Sequence, residues 1–326
     1  MEQIVTAAVA VVAGVSGILA LLWLINWCVT RLPTKMQGRA TVAMFVGPAF
    51  LFISLGYFVP TILTFIASFT KPRTGEFVGL DNYVRAISNP DVQTALTNSI
   101  VFWFGIGSTS TICLAIALAA LLDQLKPRWE AASKSIFFMP MAVSAVAAAA
   151  VFNLIFAFRP NPEPQIGIVN AIVNAVSGHP FSLLTTDAYR LNTLLLILVT
   201  IWLGTGFSMV MISTAIKNVP AETIEAARLE GVGGLRIFQH VVFPQIWPTV
   251  ITVFTTVALL SFQSFDVVFA MTQGRDNTDV IGNRFYQLLF PLNDEGQASA
   301  VVVLMLFPAL LIVWLNLRQQ KKMYSA

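Results

Sequence analysis

The stretch Pro220-Ala-Glu-Thr-Ile-Glu-Ala-Ala-Arg-Leu-Glu-Gly-Val-Gly-Gly-Leu-Arg-Ile-Phe-Gln-His-Val-Val-Phe-Pro244 lies between two long apolar runs and differs from both. Pro220 suits the first turn of a helix, where its missing N–H costs little. Glu222 and Glu225 place negative charge near that helix N-terminus, where the macrodipole favours it. Ala226 and Ala227 are strong helix formers with almost no bulk. Gly231 fits the left-handed position that ends a helix, and Gly233 and Gly234 allow a sharp turn. A second short helix over 235–242 follows, stopped by Pro244. The pattern predicts a helical hairpin of about 25 residues, too polar to span a membrane. On its residues alone it is either a plug for a groove in a partner or a packing loop that closes a bundle. Ile224, Ala227, Leu235 and Phe238 are its candidates for apolar contact.

The rest of the chain supplies the setting. Of 326 residues, 56% are hydrophobic and only 11% charged, and the mean hydropathy is +0.76. These values lie far from soluble globular averages. Apolar runs long enough for a hydrocarbon core of roughly 30 Å recur throughout. They are too long and uniform for barrel strands, so the chain reads as an all-α membrane protein. Cys28 and Cys113 both lie inside apolar runs, which argues against a disulfide framework. His179 and His240 are isolated, so no metal site is expected. There is no Walker lysine motif to cradle a nucleotide, and a net charge of +3 is too small to argue for nucleic acid.

Seven runs are expected to span, at about 4–30, 41–69, 95–122, 134–158, 191–216, 249–270 and 298–317. The first could be a signal peptide, but no Lys or Arg precedes it, whereas Arg31, Lys35 and Arg39 follow. It reads as a retained helix with an external N-terminus, Trp23 and Trp27 lying at its interface. Pro48 and Pro60 predict a kink in the second run. Residues 71–94 read as a folded polar loop, 166–176 as a short amphipathic piece, and 272–297 as a polar, acidic loop. Gly204-Thr-Gly206 is expected to loosen the fifth run. Phe102, Trp103 and Phe104 are expected to face lipid or the interface.

With the N-terminus outside, four segments share one side of the membrane. They hold twelve basic residues: Arg31, Lys35, Arg39, Lys126, Arg128, Lys134, Lys217, Arg228, Arg236, Arg318, Lys321 and Lys322. The other side holds seven: Lys71, Arg73, Arg85, Arg159, Arg190, Arg275 and Arg284. The positive-inside rule then places the twelve, the hairpin and the C-terminus in the cytoplasm.

In this setting the hairpin is recognisable. Glu225-Ala226-Ala227, Gly231 three residues on, and Val241-Val-Phe243-Pro244 resemble the Glu-Ala-Ala loop of ABC importer permeases, with Val241 and Phe243 standing for the usual Ile and Leu. Phe77-Val-Gly-Leu-Asp-Asn-Tyr83 looks like the external segment of sugar-type permeases. Ile136-Phe-Phe-Met-Pro-Met-Ala142, Thr205-Gly-Phe-Ser-Met-Val210 and Pro244-Gln-Ile-Trp247 are similar to the maltose and α-glucoside permeases, which also carry an extra first helix. The resemblance implies residues 1–40 as that extra helix with its basic linker, and 41–326 as a six-helix type I permease core with a coupling loop at 217–247. It implies a second permease subunit, two ATPase subunits that bind the ATP and Mg, and an extracytoplasmic solute-binding protein, all at the bacterial inner membrane. The chain itself then holds no cofactor and no catalytic residue. Glu225, Ala226, Ala227, Gly231 and Pro244 are the implied coupling positions.

For the solute path, a sugar wants amides and carboxylates beside aromatic faces. Gln263, Ser264 and Asp266 near Phe262, Phe265 and Phe269 offer that mixture, and Asn153 in the fourth run is a further candidate. An intramembrane acid is a functional candidate because burying its charge is costly. Ser108 to Thr111 read as helix-bonded hydroxyls. The competing class is a secondary transporter or channel that needs no ATPase; its usual inverted repeat and several intramembrane ionisable groups are not evident.

Overall fold

The computed structural model describes residues 2–31, 33–160, 163–262 and 264–324. The chain is 79% helical, with no strand among the described residues. It divides into two compact units, residues 1–66 and 67–326.

In the first unit, α1 (Glu2–Thr30) is followed by α2 (Thr34–Ile53), which passes through a π-helical turn, Ser54–Phe58, into α3 (Val59–Ala67). The wide turn ends two residues before Pro60. A proline donates no hydrogen bond and crowds the carbonyl four residues back, so a widened turn at that place relieves both problems. The expected irregularity is therefore present as a local widening. At the end of α1 the Arg31 guanidinium lies 3.8 Å from the Trp27 ring, a cation–π pair fitted to an interfacial belt.

The second unit opens with two helices that begin inside the stretch expected as a loop, α4 (Asp81–Ser88) and α5 (Pro90–Thr97). Asn89 caps α5 by accepting from the Asp91 N–H, and Pro90 fills its first position. Buried Val92 and Ala95 pack against Ile281, Leu288 and Val301. The chain continues through a π-helical segment, Asn98–Ser108, into α6 (Thr109–Leu122), so this span begins at Pro90 rather than near residue 95.

The fourth run is not one helix. It breaks into α7 (Pro127–Phe138), a tight turn at Met139–Ala142, and α8 (Ala145–Ile155), and the two halves meet at 99°. Pro140 sits in the turn, and Ser144 starts α8 by accepting from the Ala147 N–H. After α9 (Ile168–Ser177), α10 (Leu191–Lys217) runs unbroken through the unit. Its glycine pair does not loosen it. A Cβ on Gly206 would lie 2.0 Å from the Phe137 carbonyl oxygen, so this glycine lets the α10 backbone close directly onto the end of α7.

The hairpin comprises α11 (Ala221–Leu229) and α12 (Gly234–Ile237). Pro244 does not stop the second helix. A π-helical turn at Phe238–Val242, again ending two residues before a proline, carries the chain into α13 (Phe243–Phe262). The sixth run ends there: α14 (Asp266–Met271) is a separate short helix after a break. The acidic loop beyond it contains α15 (Ile281–Leu289) before α16 (Glu295–Tyr324) closes the chain. Among the described residues six helices are long and apolar enough to cross a membrane, or seven if the bent α7–α8 pair counts as one span. The expected seven-span, all-α class therefore holds. Trp103, expected at lipid, is instead 1% exposed and packs with Leu196, Ile197, Val199 and Val267. Phe104 stacks on Phe262 at 5.5 Å.

Candidate functional site: a helical hairpin and a mid-span cavity

Apolar contacts fasten the hairpin to the bundle. Ile224, Ala227, Val232 and Phe238 pack on a core of Ile112 from α6, Ile212 and Ile216 from α10, and Ile237 and Val242. The first helix ends as its glycine predicts. Gly231 has φ +76°, its N–H donates to the Arg228 carbonyl at 3.0 Å, and the Val232 N–H donates to the Ala227 carbonyl at 3.3 Å. This pair of bonds is a Schellman end, with Val232 and Ala227 turned to the same core. Three of the four apolar candidates, Ile224, Ala227 and Phe238, thus face inward and are spent on the hairpin's own attachment. The outward face carries Glu225, Ala226, Gly231 and Pro244, all exposed. It also carries Leu229, 90% exposed, and Leu235, 72% exposed, on either side of the glycine turn. Leu229 was not legible as a surface residue, because its sequence neighbours do not say which side of α11 meets the bundle.

An ionic clamp stands just before the hairpin. Glu130 of α7, 8% exposed, binds both Lys134 and Lys217, the latter at 2.5 Å. Lys217 is the last residue of α10. The clamp therefore ties the bent α7–α8 pair to the helix that leads into the hairpin. Nothing in the run of sequence around Glu130 signals a partner almost ninety residues away.

Midway along α10 lies a cavity of about 460 Å³. Its wall includes Thr200 and Phe207 from α10, Thr111 from α6, Met141 and Ala145 from the bent pair, and Thr256 and Ser261 from α13. Ser264, Phe265 and Asp266, at the break between α13 and α14, complete it. Two of the sequence-derived path residues, Ser264 and Asp266, therefore line this space, and Gln263 lies outside the described residues. Asn153 is not in the wall; its Nδ2 donates to the Ala270 carbonyl at 3.2 Å, joining α8 to α14. Thr200, Thr256 and Ser261 carried no signal because hydroxyls in an apolar helix look alike whether or not they face a cavity, and Phe207 is one apolar residue among many in α10. Ser261 and Ser108 share a hydrogen bond of 3.0 Å beside it.

The far end of α10 is closed by polar contacts. Asn98 donates to the carbonyls of Asn277 and Asp279, each at 2.7 Å, and Asn192 donates to that of Asp276, also at 2.7 Å. The Asp279 carboxylate accepts from the Val280 N–H and Asn283. Burial nevertheless pushes its pKa up to about 6, against the opposing pull of the Asn283 hydrogen bond and the Arg284 charge.

Among the described residues the chain thus has six or seven apolar spans, and its second unit has a cavity beside α10 and a folded polar hairpin between two spans. Residues 111–324 match the family described as binding-protein-dependent transport system inner membrane component, and the chain belongs to that family. It is 37% identical to the osmoprotective compounds uptake permease protein GgtC of Synechocystis sp., over 85% of this chain and 98% of the relative. It is 33% identical to the alpha-glucoside transport system permease protein AglF of Rhizobium meliloti, over 98% and 97% of the two chains. In fold it matches a crystal structure of a bacterial ABC transporter involved in the import of the acidic polysaccharide alginate, with a TM-score of 0.77 at 18% identity. That match covers 88% of this chain and 97% of the other. The ABC importer class that the Glu-Ala-Ala stretch implied is thereby established, and the secondary-transporter alternative is set aside.

Proposed function

We propose that this chain is one permease subunit of an ATP-driven importer for a sugar of the α-glucoside or disaccharide kind. Residues 1–40 add one N-terminal span to a core at 41–326. The observation that carries the coupling role is the hairpin itself. Its inner face is fixed to the bundle by Ile224, Ala227, Val232 and Phe238, and its outer face leaves Leu229 and Leu235 bare beside Glu225. Two bare leucines on a rigid polar element are suited to seating in a groove of a partner. The partner is an ATPase subunit, with a second copy serving the other permease half, and these subunits bind the ATP and Mg. An extracytoplasmic binding protein delivers the solute. The chain lies in the bacterial inner membrane with its N-terminus outside and its C-terminus and hairpin in the cytoplasm, as its basic residues favour. Nucleotide-driven closure of the ATPases then shifts the permease between inward- and outward-open states through their differential affinity for nucleotide.

The sugar reading rests on the α-glucoside relative, at full-length coverage, and on a cavity whose hydroxyls stand beside Phe207 and Phe265. The test is reconstitution in lipid with the partner permease and ATPases, measuring hydrolysis against a panel of disaccharides carried by the binding protein. Stimulation by an α-glucoside disaccharide is expected. Gly231→Pro, which cannot adopt φ +76°, and Glu225→Lys should abolish transport while insertion and subunit assembly survive. Loss of protein from the membrane in step with loss of transport would leave the hairpin a purely structural element.

A further inference from the structure

The helix α9 has its faces reversed for a loop in water. Ile168, Ala171, Ile172, Ala175 and Val176 fall at i, i+3, i+4, i+7 and i+8, one stripe of a helix, and all five are exposed. Ile172 is 61% exposed and Val176 86%. The opposite side is the polar one, and it is turned into the protein. Asn170 is buried, and its Nδ2 donates to the carbonyls of Phe156 and Ala157 at 3.2 and 3.0 Å. Its Oδ1 accepts from the Phe181 N–H at 3.1 Å. No charged residue occurs between Ile166 and Gly178.

Two observations fix the level of this helix. Gly167, just before its first residue, is packed so closely on the end of α8 that a Cβ would lie 2.3 Å from the Ala157 carbonyl oxygen. α9 thus starts where α8, the second half of the bent pair, runs out. Asn153 joins α8 to Ala270, and the loop after Ala270 bonds Asn192 at the start of α10 through Asp276. This level is therefore that of the end of α10 opposite the hairpin. Exposed Leu154 and Phe158 carry apolar surface along the chain from α8 toward α9.

We infer that α9 is an interfacial helix that lies along the membrane face opposite the hairpin, its stripe from Ile168 to Val176 seated at the boundary between lipid headgroups and acyl chains. A loop helix in water turns its apolar stripe to the protein and its amides to solvent. The reverse arrangement, at the level of a span's end, suits a lipid surface. The uncharged stripe attaches by apolar burial and needs no anionic lipid. The Asn170 hook then ties that end of α8, a helix that begins at the cavity residue Ala145, to a fixed depth in the bilayer.

The test is the depth of nitroxide labels in the importer reconstituted in phosphatidylcholine vesicles, with Cys28 and Cys113 replaced by Ser and Ile168→Cys, Ile172→Cys or Val176→Cys introduced singly. Collisions with oxygen, which concentrates in lipid, and with a water-soluble nickel chelate should place all three labels about 5–10 Å into the headgroup and acyl boundary. Adding phosphatidylglycerol should leave that depth unchanged; a depth reached only with that lipid would assign the attachment to charge and overturn the inference. In the unsubstituted importer, a phospholipid with a photoreactive group on its upper acyl chain should label residues 166–178. Nitroxides more accessible to the nickel chelate than to oxygen would put the stripe in water and overturn the inference. Nitroxides shielded from both agents would mean that protein covers the stripe: the second permease subunit if the importer alone shields them, the binding protein if only its addition does. Either result overturns it, as would a phospholipid that reacts with α8 but not with residues 166–178.

Discussion

Of the chain's glycines, Gly206 leaves the least room for a side chain, against the end of α7, and this can be tested against a neighbour two residues away. An alanine Cβ at 206 would fall 2.0 Å from the Phe137 carbonyl oxygen, 2.7 Å from its carbonyl carbon and 2.8 Å from the Phe138 Cα. All three atoms are backbone, so no rotamer change relieves the clash, and the end of α7 must move by roughly an ångström to restore ordinary contact. Overpacking of this kind costs about 1–3 kcal/mol, which lowers an apparent Tm by about 5 °C in a domain of this size. At Gly204 the added Cβ meets only the Thr111 Cγ2 at 3.5 Å, an ordinary contact. Gly204→Ala should therefore leave the melting point nearly unchanged, or raise it slightly through better helix propensity. Because the displaced segment leads into Met141 and Ala145 of the cavity wall, Gly206→Ala should also lower disaccharide uptake by the reconstituted importer. The assay is thermal unfolding of the detergent-solubilised importer, read by fluorescence. Equal melting points for the two alanine variants would refute the close-packing account of this glycine pair.

Two further predictions address charged groups. Glu130→Gln should uncouple α7 from the end of α10 at a cost of about 1 kcal/mol, reduced because Lys217 reaches water. Its distinctive result should be a lowered ratio of sugar transported to ATP hydrolysed at normal assembly, and a ratio equal to that of the unsubstituted importer would exclude a coupling role for the clamp. Asp279 carries a folded pKa raised to about 6, against 3.8 unfolded. The folded state thus binds more protons between these values, so stability is greatest below about pH 4, falls as pH rises toward about 6, and is flat above. A shift of about two units corresponds to about 3 kcal/mol at most. Asp279→Asn keeps an oxygen for the Val280 N–H and Asn283 and should flatten this part of the melting-point profile from pH 4.5 to 7. Parallel profiles for the two proteins would contradict the burial of that carboxylate as the cause.

What could be read in advance follows from where the forces are local. Spans such as α10 and α16 are set by composition over twenty or more residues, and the hairpin turn by the left-handed preference of Gly231, so both were legible. Pro140 and Pro244 look alike as helix breakers, yet one stands in a 99° bend and the other within a continuing helix. The difference lies in whether the preceding turn can widen, as Phe238–Val242 does, which a proline does not announce. Trp103 was misplaced because an aromatic in an apolar run suits lipid and core equally, and only Ala148, Leu196 and Val267, distant in sequence, choose between them. The hairpin's inner and outer faces were confused for a similar reason. Ile224, Ala227 and Phe238 answer to the core of α6 and α10, which the local sequence does not contain. Asp266 and Ser264, which line the cavity, stand out in the sequence as polar residues in an apolar run, whereas Thr200 and Ser261, bonded to their own helices, carry no such signal.

The central claim is that the outer face of the hairpin passes the ATPase cycle to the bundle while its inner face only holds it in place. The direct measurement is disaccharide-stimulated hydrolysis and uptake by the reconstituted importer carrying Leu229→Ser and Leu235→Ser together. These side chains touch little of their own chain, so melting point and membrane level should be unchanged while stimulated hydrolysis and uptake fall by about tenfold or more, two well-packed docking leucines being worth on the order of 1–2 kcal/mol each. Normal stimulated hydrolysis and uptake in this double variant would contradict the account.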